Sequence, residues 1–221
     1  MEFQTFQPAP GAPLDAALGS GPQIRIMRYL CRATGRHTGR AIGKTTPLSH
    51  TAVARALRPL TMLGMVDAEP QGRAILYRLN EEHWLVQDGL LPLFTAEARF
   101  HARLGEAVRQ AAGVRVRSVI LFGSEARGEA RMESDLDLVC LTTAAPAAER
   151  VEAGLVAAAT RLRRRFGRRL AILVWPAAEF ARRYRARDRL IREIVETGWV
   201  IEGAPLSEVL GTLTRNAEEC F

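Results

Sequence analysis

Two short stretches in the second half of the chain hold the residue types that handle phosphate and divalent cations. The first is Gly123-Ser124, which closes the apolar run Arg117-Ser118-Val119-Ile120-Leu121-Phe122. Short, apolar and bounded by glycine, that run reads as a buried strand. A strand that ends in Gly-Ser and opens a helix sets backbone N–H groups and a hydroxyl at the helix N-terminus, an arrangement suited to phosphate. The second stretch is Ser134 to Leu141, another strand, carrying Asp135 and Asp137. Residues two apart on a strand share a face, so these carboxylates lie side by side. Like charges so placed repel unless a cation sits between them. Hard oxygen ligands of this kind suit Mg²⁺ or Mn²⁺, whose coordination shells are usually completed by substrate phosphate oxygens. Taken singly, either stretch is commonplace: an isolated DxD is more often a solvated pair at a strand edge.

Their spacing changes that reading. Ten residues separate Ser124 from Asp135, giving GS-x10-DxD within SVILFGSEARGEARMESDLDLVCL. The pattern resembles the signature of the DNA polymerase β superfamily of nucleotidyltransferases, above all its minimal nucleotidyltransferase branch. The match resides in GSEARGEA and SDLDL, and the resemblance extends over residues 95–205. It implies a small mixed sheet flanked by helices, with Gly123 and Ser124 on a triphosphate. Asp135 and Asp137 become the catalytic carboxylates and the ligands of Mg²⁺ or Mn²⁺. Arg127 becomes either a nucleotide contact or a brace for the loop. The implied reaction is attack of a hydroxyl on the α-phosphate of an NTP or dNTP, with pyrophosphate leaving. One cation neutralises the triphosphate and the leaving group, and a second lowers the pKa of the attacking hydroxyl.

The sequence departs from this pattern at one place. Active members of the superfamily carry a third carboxylate on a later strand, which serves mainly the hydroxyl-activating cation. Here that strand is Leu170-Ala171-Ile172-Leu173-Val174-Trp175, with Ala171 at the expected position and no acid anywhere along it. Glu133 and Glu179 are the nearest acids in sequence, and no spacing rule recommends either. The departure bears on turnover more than on nucleotide binding.

The elements that must position these residues follow from periodicity. Phe100, Leu104 and Val108 recur at four-residue spacing in a helix expected over Ala96–Ala112, closed by Gly113. Val151, Leu155, Ala158 and Leu162 form the apolar stripe of a helix over Pro146–Phe166. The segment RDRLIREIVETGWVIEG resembles the closing helix and strand of minimal nucleotidyltransferases, with Ile191, Ile194 and Val195 facing inward. Two arginine clusters flank the third strand, at 161–169 and 182–192. They serve equally well as solvated helix faces or as phosphate contacts.

The first half reads differently. Ile24, Met27 and Leu30 mark one helix, Gly39 to Lys44 a second ended by Thr45-Thr46-Pro47, and Ser49 caps a third. In that third helix Val53, Leu57 and Leu60 point inward, while Thr51, Arg55 and Arg58 share the other side. Pro59 is expected to kink or end it near Arg58. Two β-like runs follow, Met65–Glu69 and Ala74–Leu79, around a turn at Pro70-Gln71-Gly72-Arg73. Three helices followed by a β-hairpin resemble winged helix-turn-helix regulators, which implies a third helix in the DNA major groove and a hairpin beside the backbone. The DNA contacts are then His50, Thr51, Arg55 and Arg58 from the helix and Arg73 from the wing. Residues 22–83 hold ten Lys+Arg against four Asp+Glu, a surplus that suits phosphate.

The organisation expected is a flexible arm over 1–21, a winged helix over 22–83, a connector over 84–94 packed by Trp84, Leu85 and Val86, a nucleotidyltransferase domain over 95–205, and a tail over 206–221. The fold class is α+β. Net charge is +7 over 221 residues, favouring an anionic partner. Three scattered cysteines without a CxxC argue against a disulfide framework and suit a reducing cytoplasm. The N-terminus MEFQTFQPAP lacks the basic start and apolar core of a secretory signal, and no apolar run approaches a membrane span.

Two functions follow. One is an enzyme that moves a nucleoside monophosphate onto a hydroxyl, either on nucleic acid held by the winged helix or on a protein. The other is a DNA-binding regulator or antitoxin-like protein whose transferase domain binds nucleotide or a partner with little or no catalysis. A homodimer reading two DNA half-sites suits the winged helix.

Overall fold

Glycine at position 21 and proline at position 22 open the first helix of the computed structural model, which describes residues 21–113, 116–131 and 133–211. The expected arm therefore lies outside the described residues apart from Gly21, as do residues 212–221 of the expected tail. Described residues fall into two compact units that adjoin in sequence at Arg99 and Phe100. Helices and sheets are present in both, an α+β architecture. No described helix is long and apolar enough to cross a membrane.

In the N-terminal unit, helix α1 (Pro22–Leu30) is followed by a two-residue strand β1 (His37–Thr38), α2 (Gly39–Thr45) and α3 (His50–Met62). Two of these helices start on hydroxyl caps. Thr38 accepts from the Ala41 N–H and Ser49 from the Ala52 N–H, both at 3.2 Å. The hairpin is β2 (Val66–Gln71) and β3 (Ala74–Leu79), and β1 adds to it in the order β1-β3-β2, antiparallel throughout. Strand β1 is too short to show a period and was not legible in the sequence. Val53, Leu57 and Leu60 of α3 meet Ile26, Met27 and Leu30 of α1 in the core.

Three local expectations are revised. Pro59 does not end α3, which runs on to Met62. Proline removes one backbone hydrogen bond near the helix end, while buried Leu57 and Leu60 on either side hold that turn against the core. Pro70 lies inside β2 rather than in the turn, and the turn shrinks to Gly72-Arg73. Edge strands tolerate a missing N–H, and β2 is at the sheet edge. Only Val86 of the supposed packing trio is buried; Trp84 is 69% exposed and Leu85 is exposed too.

After a π-helical turn at Val86–Leu90 comes α4 (Leu91–Ala98), which breaks at Arg99 instead of continuing as one helix from Ala96. Phe94 and Val86 join the N-terminal core. Glu97 reaches back to α1, accepting from Arg28 Nε at 2.7 Å and from Arg32 Nη2 at 3.2 Å, with the side chains of Arg28 and Glu97 nearly inaccessible to solvent.

The C-terminal unit is a four-stranded mixed sheet in the order β6-β5-β4-β7. Its elements run α5 (Phe100–Ala112), β4 (Ser118–Phe122), the one-turn α6 (Gly123–Ala126), β5 (Leu136–Thr142), α7 (Ala145–Phe166), β6 (Leu170–Pro176), α8 (Ala177–Arg185), α9 (Arg189–Thr197) and β7 (Trp199–Gly203). Strand β4 is antiparallel to both neighbours, whereas β5 and β6 are parallel and joined by the long crossover helix α7. Alternation sorts the side chains. Val119, Leu121, Leu138 and Cys140 pack under α5 and α7. Ile120, Phe122, Val139 and Leu141 pack against Phe180, Ile191 and Ile194 of α8 and α9. The stripe Val151, Leu155, Ala158 and Leu162 is the buried face of α7, as its spacing requires.

Candidate functional site

The site forms where β4 and β5 pair at their last register position, Phe122 opposite Asp137. There the chain leaves the sheet through Gly123, whose φ of +72° is left-handed. Space as well as conformation calls for glycine: a Cβ at this position would run into the Asp137 carboxylate. The glycine-serine turn and the second carboxylate are therefore in direct apposition. The helix that follows is a single turn, so phosphate would meet a few backbone N–H groups and the Ser124 hydroxyl rather than the end of a long helix dipole. Ser124 is half-buried.

The carboxylates have different surroundings. Asp137 sits inside β5, half-buried, and burial raises its pKa, with the neighbouring Asp135 charge adding to the shift. Asp135 lies one residue before the strand, which begins at Leu136 rather than Ser134. Its Oδ2 accepts from Arg169 Nε at 2.8 Å and from Arg169 Nη2, and these bonds hold its pKa below the ordinary aspartate range. The two acids remain electrostatic neighbours, but a guanidinium already balances one of them.

Strand β6 brings Ala171 directly opposite Asp137 in the parallel register. Ala171 is thus across from the metal-ligand candidate, where a third acid would share its face. Neither alternative acid replaces it. Glu179 is engaged by Arg182 at 2.7 Å and Arg183 at 2.8 Å, and Glu133 is exposed ahead of β5. Among the described residues, no group of three His, Cys, Asp or Glu side chains is placed to hold a metal.

Arg127 donates to Glu129 at 2.9 Å and to Glu193 of α9 at 2.6 Å, contacts that brace the loop. Four further residues complete the surroundings, and sequence reasoning did not single them out for the site. Glu125, inside the Gly-Ser motif, is buried and joined by His101 at 3.3 Å and by Arg168 Nη1 at 2.5 Å. Burial alone would raise the Glu125 pKa; the hydrogen bonds from His101 and Arg168 outweigh it and leave the net shift downward. Arg168 also donates Nε to the Ser134 carbonyl at 2.7 Å and Nη2 to the Asp135 carbonyl at 3.2 Å. One guanidinium so ties the turn to the backbone carrying Asp135. The signal for Arg168 and Arg169 existed in the run before β6. Parallel pairing of Leu136 with Leu170 places their preceding residues, Asp135 and Arg169, side by side.

The N-terminal candidates are all exposed. His50, Thr51, Arg55 and Arg58 are exposed on α3, and Arg73 is exposed in the hairpin turn. Four other basic residues of this unit are paired: Arg28 and Arg32 with Glu97, Arg36 with Glu69 and Arg78 with Asp67. Arg40, Lys44, Arg55, Arg58 and Arg73 are all exposed.

Comparison with known proteins bears on the second unit. Residues 102–198 match the family model described as a nucleotidyltransferase domain. The match encloses the Gly-Ser turn, Asp135, Asp137 and Ala171, and it implies a nucleotide substrate and nucleotidyl transfer in general. Neither the curated proteins nor the solved structures returned a match to the chain.

Proposed function

We propose that the C-terminal unit transfers a nucleoside monophosphate from an NTP or dNTP to a hydroxyl acceptor, using Gly123, Ser124, Asp135 and Asp137. The observation that carries this reading is the apposition of Gly123 and Asp137, which brings the glycine-serine turn and a carboxylate together at one strand end. Two carboxylates plus phosphate oxygens suit one Mg²⁺ or Mn²⁺, since such ions are commonly held by one or two acids and the substrate. Asp135 and Asp137 would hold it. When bound, it would neutralise charge on the triphosphate and the departing pyrophosphate. The donor set does not suit a second cation, because Ala171 faces Asp137.

The chain's own residues supply positioning. Backbone N–H groups of the turn and the Ser124 hydroxyl orient the phosphates. The acceptor hydroxyl gives up its proton to solvent and its oxygen bonds to the α-phosphorus as the bond to the bridging oxygen breaks, and pyrophosphate leaves. Arg168 and Glu125 hold the turn and the Asp135 backbone in mutual register.

The N-terminal unit we read as a winged helix that binds DNA through α3 and the β2–β3 turn. Support comes from the element order and from exposed basic residues on α3 and in the hairpin turn that have no acidic partner among the described residues. It would bring a nucleic-acid end to the site; a protein hydroxyl is the other acceptor class, and a homodimer would span two half-sites.

Ala171 favours a second reading, a regulator or antitoxin-like protein that binds nucleotide or a partner with weak or no turnover. Incubating the full chain with labelled NTPs or dNTPs, Mg²⁺ or Mn²⁺, and DNA, RNA or protein acceptors separates the two. Label on an acceptor that disappears in Asp135→Ala/Asp137→Ala supports transfer. Nucleotide binding without label under either metal assigns the chain to the regulator.

A further inference from the structure

Resting on that reading of the site, we infer that Arg169 is the resident counter-ion of Asp135, exchanged for the divalent cation when an incoming triphosphate takes the guanidinium. Two donors of one side chain, Nε and Nη2, converge on a single oxygen, Asp135 Oδ2. A carboxylate oxygen so engaged is withheld from a metal, because guanidinium and cation compete for the same lone pairs. Among the described residues no comparable donor reaches Asp137, so the competition is confined to one of the two ligands.

The pairing is built into the sheet. The Leu136 N–H donates to the Arg169 carbonyl at 2.9 Å, immediately before the parallel ladder of β5 and β6. Asp135 and Arg169 are thus neighbours through their backbones whatever their side chains do. Arg168 meanwhile fixes the other side of the same segment, through the Ser134 and Asp135 carbonyls and Glu125. Removing the Arg169 side chain would leave the Asp135 backbone where it is.

Arg169 is also equipped for the second half of the exchange. Its side chain is 70% exposed, so it can swing away at little packing cost. A planar guanidinium offers paired donors to phosphate as readily as to carboxylate. The arriving triphosphate would supply a new partner for Arg169 and additional oxygens for the cation. Metal and nucleotide would then strengthen each other's binding, a reciprocal coupling.

The test is Mn²⁺ binding by the full chain, read by electron paramagnetic resonance of free Mn²⁺, with and without a non-hydrolysable NTP analogue. Arg169→Gln should tighten Mn²⁺ binding without nucleotide by about tenfold, the scale of changes around metal ligands. The gain in Mn²⁺ affinity caused by the analogue should shrink in the same variant. Arg169→Lys, which keeps the charge but loses the two-donor fork, should fall between the two. Wild-type binding that Arg169→Gln leaves unchanged or weakens overturns the exchange while the metal–nucleotide site stands. No Mn²⁺ bound by any form, with or without nucleotide, overturns both.

Discussion

On α3 of the N-terminal unit Arg55 and Arg58 stand exposed with no ion pair to a carboxylate among the described residues, whereas around Gly123 three arginines are engaged by acids: Arg127 by Glu129 and Glu193, Arg168 by Glu125, and Arg169 by Asp135. The same side chain serves two purposes. Left unpaired on a surface, it offers its charge to an external polyanion and costs the fold little. Paired inside a site, it sets where carboxylates and carbonyls stand, and its charge is spent locally. Net charge alone could not distinguish these uses. Chain-wide excess of arginine therefore says less about function than which arginines lack partners.

The contrast can be broken most forcefully at the strand end. Asp137→Ala should reduce nucleotidyl transfer at least about 100-fold, the scale for deleting one preorganised electrostatic group. Gly123→Ala should be similarly damaging, because the added methyl meets the Asp137 carboxylate at a left-handed φ. Transfer assays paired with circular dichroism check both, and a fully active, folded Gly123→Ala would contradict the apposition as the working part of the site.

A paired arginine of the N-terminal unit provides the next test. Glu97→Ala removes the carboxylate that Arg28, 4% exposed, is paired with and should cost about 3–5 kcal/mol, as expected when one partner of a buried pair is lost. Glu69→Ala, at the exposed pair with Arg36, should cost only about 0–1 kcal/mol. Denaturant unfolding of the full chain measures the difference; equal effects would mean burial does not set the value of these pairs.

Smaller in free energy is the outward face. Arg55→Ala plus Arg58→Ala should weaken duplex binding and lower the slope of log affinity against log salt by about two, one counterion per phosphate contact. Unaltered affinity and slope would place the DNA surface elsewhere.

The smallest effect is on pH dependence. Glu125 has a pKa below the ordinary glutamate range in the folded state, so it adds stability above that range, and the contribution is lost as pH falls through the folded value. Thermal unfolding followed down the acid side should show a steeper loss in wild type than in Glu125→Gln. Superimposable curves would remove Glu125 from the account.

Much of the architecture was legible because it is local. Four-residue spacing marked α7, apolar continuity marked β4, and a serine marked the start of α3. Period two nominated Asp135 and Asp137 as a pair on one strand, and only Asp137 proves to lie within β5. The misjudged details are those in which tertiary contacts override a local preference. Pro59 is carried inside a helix by its buried neighbours, and Trp84 is left outside a core that Val86 enters.

What the sequence determined by itself was the inventory: most of the segments that form helices or strands, and which residues are chemically able to hold phosphate and a cation. What only the tertiary structure decided was partnership. Arg169 beside Asp135, Glu125 beside Arg168, Ala171 across from Asp137 and Glu97 beneath Arg28 are separated by between 34 and 69 positions in the chain. Helical and pleated periodicity is set by bonds between near neighbours, so it leaves a trace in sequence. Cross-strand register and long-range ion pairing arise from how elements pack, and no short-range pattern encodes them.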